Sequence, residues 1–199
     1  RGDKIYINTA GIGFVKYPGL SPKNLRDGDA VIVSGMVGDH GTAIMLARSG
    51  MMQGKIASDC APLNGLCEAI LGTGAEVRVL RDPTRGGVAT TLNEFIEGTT
   101  LGIELHEDKI PVRDQVRSAC DMLGLDPLYC ANEGKILAVV AADDAERVLS
   151  SMCKTEEGRD AAIIGRVSAG YPGKLVMDTA FGGKRILQKL TGAQLPRIC

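Results

Sequence analysis

A cysteine closes the sequence, in the run Leu195-Pro-Arg-Ile-Cys199. A thiol on a chain end can be carried into a distant pocket. The nine residues from Thr191, fully extended, reach about 30 Å. Pro196 stiffens the approach and limits the entropy lost on docking. Arg197 is placed to pair with a phosphate or carboxylate and to favour a thiolate, while the terminal carboxylate pushes the thiol the other way. Prenylation is excluded, because that motif puts its cysteine fourth from the end, where Pro196 stands. The plain alternative is a frayed end whose cysteine does nothing.

Three further clusters carry possible chemistry. Asp82-Pro-Thr-Arg-Gly-Gly87 lies between an apolar run and a helical pattern. Gly86 and Gly87 at a helix start let a ligand approach the backbone, and free N–H groups there favour an anion. Thr84 lies between them and Asp82, Arg85 adds a cation, and Asp82 is a candidate cap or metal ligand. Asn132-Glu133-Gly134 precedes an apolar strand, where Glu133 suits a general base. In Gly38-Asp39-His40-Gly41, Asp39 reads as an N-cap, and His40 is one of only two histidines, with a possible role near substrate. Against each stands a structural reading: a well-capped turn, a simple loop, a cap. His106, at a strand end, reads as a surface residue.

Other chemistries fall away. The sequence has no Gly-x4-Gly-Lys-Ser/Thr phosphate loop, no Gly-x-Ser-x-Gly elbow and no His-Glu-x-x-His helix, and Gly11-Ile-Gly13 lacks the third glycine of a dinucleotide fingerprint. The six cysteines include no Cys-x-x-Cys pair, so no structural zinc site is expected. Cys60 and Cys67, seven apart on one expected helix face, read as small core residues. No dense disulfide framework or export signal is visible, which points to a reducing cytoplasm.

These residues need a scaffold, and the composition supplies one. The chain has 199 residues, 44% hydrophobic and 24% charged, enough for a sizeable core without staples. A formal net charge of −1 argues against a nucleic-acid partner. No apolar run approaches the roughly 20 residues of a membrane span. The sequence starts at Arg1 rather than Met, which points to a fragment or processed product. Strands are expected at 4–9, Ala30–Val33, Val77–Leu80, Gly102–His106, Lys135–Ala141, Ile163–Val167 and Lys174–Met177. Helices are expected at Thr42–Arg48, Cys60–Leu71, Val88–Glu97, Val112–Leu123 (ended by Gly124), from an Asp143-Asp144 cap to about Cys153, and Arg185–Leu190. Residues 16–29 are rich in turn formers, and Phe181-Gly-Gly183 reads as a turn. Alternating strands and helices give an α/β or α+β class.

Taken together these motifs resemble the HypE family of hydrogenase maturation proteins. The likeness rests on Ile7-Asn-Thr-Ala-Gly-Ile-Gly13, Ser34-Gly-Met-Val-Gly-Asp-His-Gly41, Asp82-Pro-Thr-Arg-Gly-Gly87, Asn132-Glu-Gly134 and Pro196-Arg-Ile-Cys199, and it runs the whole length of the chain. The terminal run is its most specific mark. The Asp-Pro-Thr-Arg-Gly-Gly run recurs in variant form across the aminoimidazole-ribonucleotide-synthetase-like (PurM-like) superfamily.

The resemblance implies a PurM-like C-terminal domain at 25–190, with 1–14 the end of an N-terminal ATP-binding domain, 15–24 a linker and 191–199 a mobile tail. The family's N-terminal domain forms the homodimer and supplies most of the ATP and Mg²⁺ site. Its nucleotide-binding carboxylates and catalytic lysine would lie upstream of this sequence. The implied activity is an ATP-dependent carbamoyl dehydratase. HypF places a carbamoyl group on Cys199, the S-carboxamide is dehydrated to a thiocyanate, and the cyanide passes to iron on the HypC–HypD complex. Glu133 would manage protons with the upstream lysine. Asp82, Thr84, Arg85, Gly86, Gly87 and Asn132 would line the cleft, and Pro196 and Arg197 would guide the tail. Two rivals stay open: another ATP-dependent enzyme of the superfamily acting on a small molecule, and a domain that only docks partner proteins.

Overall fold

The computed structural model describes residues 8–49 and 56–190. Its frame is a seven-stranded sheet. The strands are β1 (Ala30–Val33), β2 (Val77–Arg81), β3 (Gly102–His106), β4 (Leu137–Val140), β5 (Ala162–Ser168), β6 (Leu175–Asp178) and β7 (Lys184–Leu187), in the spatial order β2-β4-β1-β5-β3-β6-β7. Every neighbouring pair is antiparallel except β3 and β6. Among the described residues five α-helices accompany it: α1 (Asp39–Ser49), α2 (Asn64–Leu71), α3 (Gly87–Ile96), α4 (Asp114–Leu123) and α5 (Ala145–Met152).

Side chains alternate across a strand, so a sheet covered on both faces has strands buried at every position. β1 shows this directly: all four of its residues are buried. Val31 and Val33 join Leu137, Val139 and the α3 residues Val88, Leu92 and Phe95 on one face. Ala30 and Ile32 join Ala138 and Val140 on the other, under Leu66 and Ile70 of α2 and Val148 and Met152 of α5. The register matches the faces, since Val31 pairs with Val139 and Ile32 with Ala138. α1 and α4 are in contact, and a smaller cluster joins Val116 and Cys120 of α4 to Cys130. Among the described residues no helix is long and apolar enough to cross a membrane.

Several expectations are corrected. Arg185–Leu190 is not a helix. The Phe181-Gly-Gly183 turn, with Gly182 at φ 82° and Thr179 N–H donating to Gly183 O at 2.8 Å, returns the chain as β7 along β6. Cross-strand pairing there outweighs local helical propensity. α2 starts at Asn64, so Cys60 lies outside it and is exposed, while Cys67 is half-buried against the core. The Asp143-Asp144 pair forms a 3₁₀ turn, and the Asp144 carboxylate accepts from Glu76 N–H at 2.7 Å rather than capping α5. Of the strand expected at 4–9, residues 8 and 9 are irregular, and 4–7 lie outside the described residues. The turn-rich segment includes a 3₁₀ turn, Pro22–Asn24, held by Ser21 N–H on Arg78 O at 2.8 Å.

Candidate functional site

Where β1 ends, Ser34 fastens two loops together. Its N–H donates to Ile136 O, and its hydroxyl accepts from Ile136 N–H, each at 3.0 Å. This brings residues 35–41 against residues 131–135. Gly41 N–H donates to Ala131 O at 2.9 Å, and a Cβ on Gly41 would meet Ala131 N at 2.8 Å, so the approach requires glycine.

Asn132 is the knot of this region. It is wholly buried. Its Oδ1 accepts from Gly38 N–H at 2.8 Å, and its Nδ2 donates to Pro83 O at 3.1 Å and to Cys130 O at 3.0 Å. Its bonding capacity is spent inside the protein, tying the 82–87 turn to the start of α1.

That turn is arranged for packing. Gly86, at φ 74°, occupies the N-cap position of α3, and no side chain caps the helix. Asp82 is therefore not the cap; it is exposed, as is Arg85, while Thr84 is half-buried. A Cβ on Gly86 would meet Thr90 Oγ1 at 2.2 Å, and one on Gly87 would meet Leu128 O at 2.5 Å. Each of the two glycines admits the protein's own atoms at close range.

Beside Glu133 lies a charged cluster that the motifs did not announce. Glu133 N–H donates to Asp59 Oδ1 at 3.0 Å. Lys135 Nζ sits 3.5 Å from Asp59 Oδ2 and donates to Gly134 O at 3.0 Å. A Cβ on Gly134 would fall 1.7 Å from Asp59 O, so glycine is obligatory there. Arg113 Nε donates to Asp39 Oδ2 at 3.0 Å. Asp39 Oδ1 is buried without a hydrogen-bond partner, so this side chain does not cap α1; it is held by an ion pair to Arg113, the residue just before α4. Burial pushes the Asp39 carboxyl above its ordinary range, against the opposing pull of Arg113. His40 is buried too, with Nδ1 2.8 Å from Ser58 Oγ and 3.8 Å from Cys60 Sγ, and Nε2 without a partner. His106 is about one-third exposed, 3.7 Å from Asp178.

Two cavities meet at this cluster. One of about 640 Å³ is lined by Gly35, Cys60, Gly134 and Glu156, among others. The second, of about 410 Å³, is lined by Asp39, Ser58 and Asp59. Arg113 and Lys135 border both. The residues of the 82–87 turn border neither. Among the described residues, no group of three or more His, Cys, Asp or Glu side chains is placed to hold a metal ion. Pro196, Arg197 and Cys199 lie outside the described residues.

Asp59, Arg113 and Lys135 are the residues that motif reading missed. Only Lys135 left a signal: a charge directly after Asn-Glu-Gly, at the head of an otherwise apolar strand.

Comparison with known proteins gives a consistent result. Residues 26–178 match the family described as AIR synthase related protein, C-terminal domain. Carbamoyl dehydratase HypE from Azotobacter vinelandii is 48% identical over 202 aligned residues, covering 100% of this chain and 59% of that protein. The chain thus spans 59% of the length of that relative. The crystal structure of a HypE–HypF complex matches with a TM-score of 0.81 and 45% identity, covering 86% of this chain and 57% of that one. That of hydrogenase maturation protein HypE in complex with ATP matches at 0.84 and 43%, covering 90% and 55%.

Proposed function

The chain belongs to the AIR synthase related protein family through its C-terminal domain, and from that premise we propose that it is the larger, C-terminal part of an ATP-dependent carbamoyl dehydratase serving hydrogenase maturation. The observation that carries this reading is the 48% identity to such an enzyme along the whole of the chain. In the proposed reaction HypF places a carbamoyl group on Cys199. The amide is dehydrated to a thiocyanate, and the cyanide is then delivered to iron on HypC–HypD. The setting is the cytoplasm, and the complete protein is a homodimer.

The chemistry balances. When bound, ATP supplies a phosphoryl group that makes the amide oxygen a leaving group; that oxygen departs as phosphate, and the nitrogen gives up two protons. What remains is S–C≡N, with ADP as the other product. Sulfur suits a carrier because an incoming thiolate can later release the cyanide. Glu133 is proposed as the base for a nitrogen proton. Its backbone is held by Asp59, which fixes where the carboxylate starts. Mg²⁺ would find its carboxylates mainly in the N-terminal nucleotide domain that the proposed family supplies. For ATP, the uncapped start of α3 with Arg85 beside it is the feature that suits a phosphate. Domain roles follow the same reading: 1–14 end the nucleotide domain, 15–24 link, 25–190 form the present domain and 191–199 carry the thiol.

The test is mass spectrometry of the C-terminal peptide after incubation with HypF, carbamoyl phosphate and ATP, with and without the N-terminal part of the protein. A carbamoyl group on Cys199, followed by loss of one water only when the N-terminal part is present, supports the reading. An unmodified Cys199 in both samples, with HypF shown to be active, sinks it.

A further inference from the structure

The loop before α2 brings a thiol and an imidazole together, and the proposed dehydration uses neither. Cys60 is exposed, and its Sγ lies 3.8 Å from His40 Nδ1. His40 is only 7% exposed, and its Nδ1 also lies 2.8 Å from Ser58 Oγ. Ser58 Oγ accepts from Cys60 N–H at 3.2 Å, which leaves the hydroxyl proton to donate to Nδ1. The hydrogen-bond network therefore assigns Nδ1 as an acceptor. Nε2 is buried without a partner, so among the described residues this ring serves only Ser58 and Cys60. A buried imidazole with its acceptor nitrogen aimed at an exposed thiol is the arrangement of a base-assisted nucleophile. Cys120 and Cys130 are buried, and Cys153 is exposed without a bonded histidine.

The electrophile is narrowed by room, by charge and by the chemistry of attack. Cys60 lines the cavity of about 640 Å³, the usual size of a small-molecule site. The cations of that cavity are already matched: Arg113 by Asp39, Lys135 by Asp59 and Arg159 by Glu156. Glu157 and Asp160 also line it and have no ion-pair partner among the described residues. Their charge favours a ligand that carries an ammonium group over one that carries a carboxylate. Attack at a carbonyl would need N–H donors for the oxyanion, and the N–H of Cys60 is spent on Ser58. Attack at sulfur builds no oxyanion and needs only thiol, base and room.

We propose that Cys60 is a covalent modification site, which forms a mixed disulfide with a small disulfide bearing ammonium groups. The Cys60 S–H gives its proton to His40 Nδ1, and the sulfur attacks one sulfur of the disulfide. A new S–S bond forms at Cys60 as the old one breaks, and the leaving thiolate takes the proton. One thiol is consumed and one released, so no further oxidant is needed. The half that stays bound fills the cavity, with its ammonium group toward Glu157 and Asp160. This site does not depend on the proposed dehydration.

The test treats the reduced full chain with cystamine, hydroxyethyl disulfide or dithiodipropionate, which present NH₃⁺, OH and COO⁻ on the same two-carbon arm. Free thiols are blocked at intervals, and peptide mass spectrometry reads the mixed disulfide at each cysteine. Dividing each rate by that of N-acetylcysteine amide removes the intrinsic reactivity of the probe. Cys60 should react with cystamine about tenfold faster than Cys153 does, and should prefer cystamine to dithiodipropionate by about tenfold. His40→Gln should slow Cys60 and leave Cys153 unchanged. Glu157→Gln combined with Asp160→Asn should bring the three probes to equal rates at Cys60. Equal rates at Cys60 and Cys153, no preference among the probes, or a preference that survives the Glu157 and Asp160 changes would overturn the proposal. Should His40→Gln fail to fold, the comparison of probes and of cysteines on the unsubstituted protein decides.

Discussion

The backbone N–H of Glu133 donates to Asp59 Oδ1 at 3.0 Å, joining residues 74 positions apart. One carboxylate therefore does two things. One oxygen sets the backbone of the candidate base, and the other stands 3.5 Å from Lys135 Nζ. The loop before α2 thereby becomes part of the site, although it carries no motif. A change at Asp59 acts on Glu133 without touching it.

The close approach that permits this bond depends on Gly134. A methyl group there would overlap the Asp59 carbonyl oxygen, 1.7 Å from the Cβ position, and backbone on both sides must shift. Gly134→Ala should destabilise the protein by about 1–3 kcal/mol or more, the usual cost of overpacking a tight contact. Denaturant unfolding measures it. A variant as stable as the parent would show that the 59–61 segment moves freely.

Asn132 should be a stability residue rather than a ligand contact. Asn132→Ala leaves Gly38 N–H and Pro83 O without their side-chain partner in a region closed to water. We expect a loss of about 3 kcal/mol, given that a buried unsatisfied group costs about 1–3 kcal/mol. Urea denaturation gives the stability, and calorimetric titration with nucleotide gives the affinity. If nucleotide affinity fell while stability held, Asn132 would belong to the cleft after all.

Much of this architecture was legible in the sequence, and the exceptions have physical causes. β1, β2, β3 and α3 stand within a residue or so of where their apolar runs place them, because a strand or helix that must bury its face shows this in its own composition. β7 was not legible. Lys184, Arg185 and Ile186 are exposed on an edge strand, and only the partner strand β6 decides their conformation. The site divides in the same way. The Asn-Glu-Gly run marks where the loop converges, but the partners Asp59 and Arg113 come from other segments, and nothing local in the sequence ties them to it. The glycines of 82–87 are ambiguous for a related reason. A glycine reports only that something approaches closely, and here it is the carbonyl of Leu128.

Asp39 makes stability depend on pH in a definite direction. Burial holds its carboxyl above the ordinary value of about 3.9, so between that value and its own the folded state keeps a proton that the unfolded chain has lost. Its contribution is therefore fully present at lower pH and is lost as pH rises through the raised value. Asp39→Asn should flatten the stability–pH curve in that window. Thermal unfolding from pH 4 to 7 measures the slope, and an unchanged curve would assign the titration to another group.

The most direct prediction concerns Glu133. If its carboxylate takes a nitrogen proton during dehydration, Glu133→Gln in the full-length protein should still accept the carbamoyl group at Cys199, since that step belongs to HypF. The later loss of water should slow by about 10²–10⁴-fold, the typical contribution of a positioned general base. The substitution keeps the side chain's size and leaves the backbone N–H on Asp59, so the fold should hold. Quantitative mass spectrometry of the C-terminal peptide separates the two steps. Normal dehydration in this variant would remove Glu133 from the chemistry. Carbamoylation lost together with dehydration would place Glu133 instead on the path by which the tail meets HypF. Glu133→Asp distinguishes the cases further, because a shortened base should recover part of the dehydration rate, whereas a docking contact has no reason to favour a carboxylate set back by one methylene.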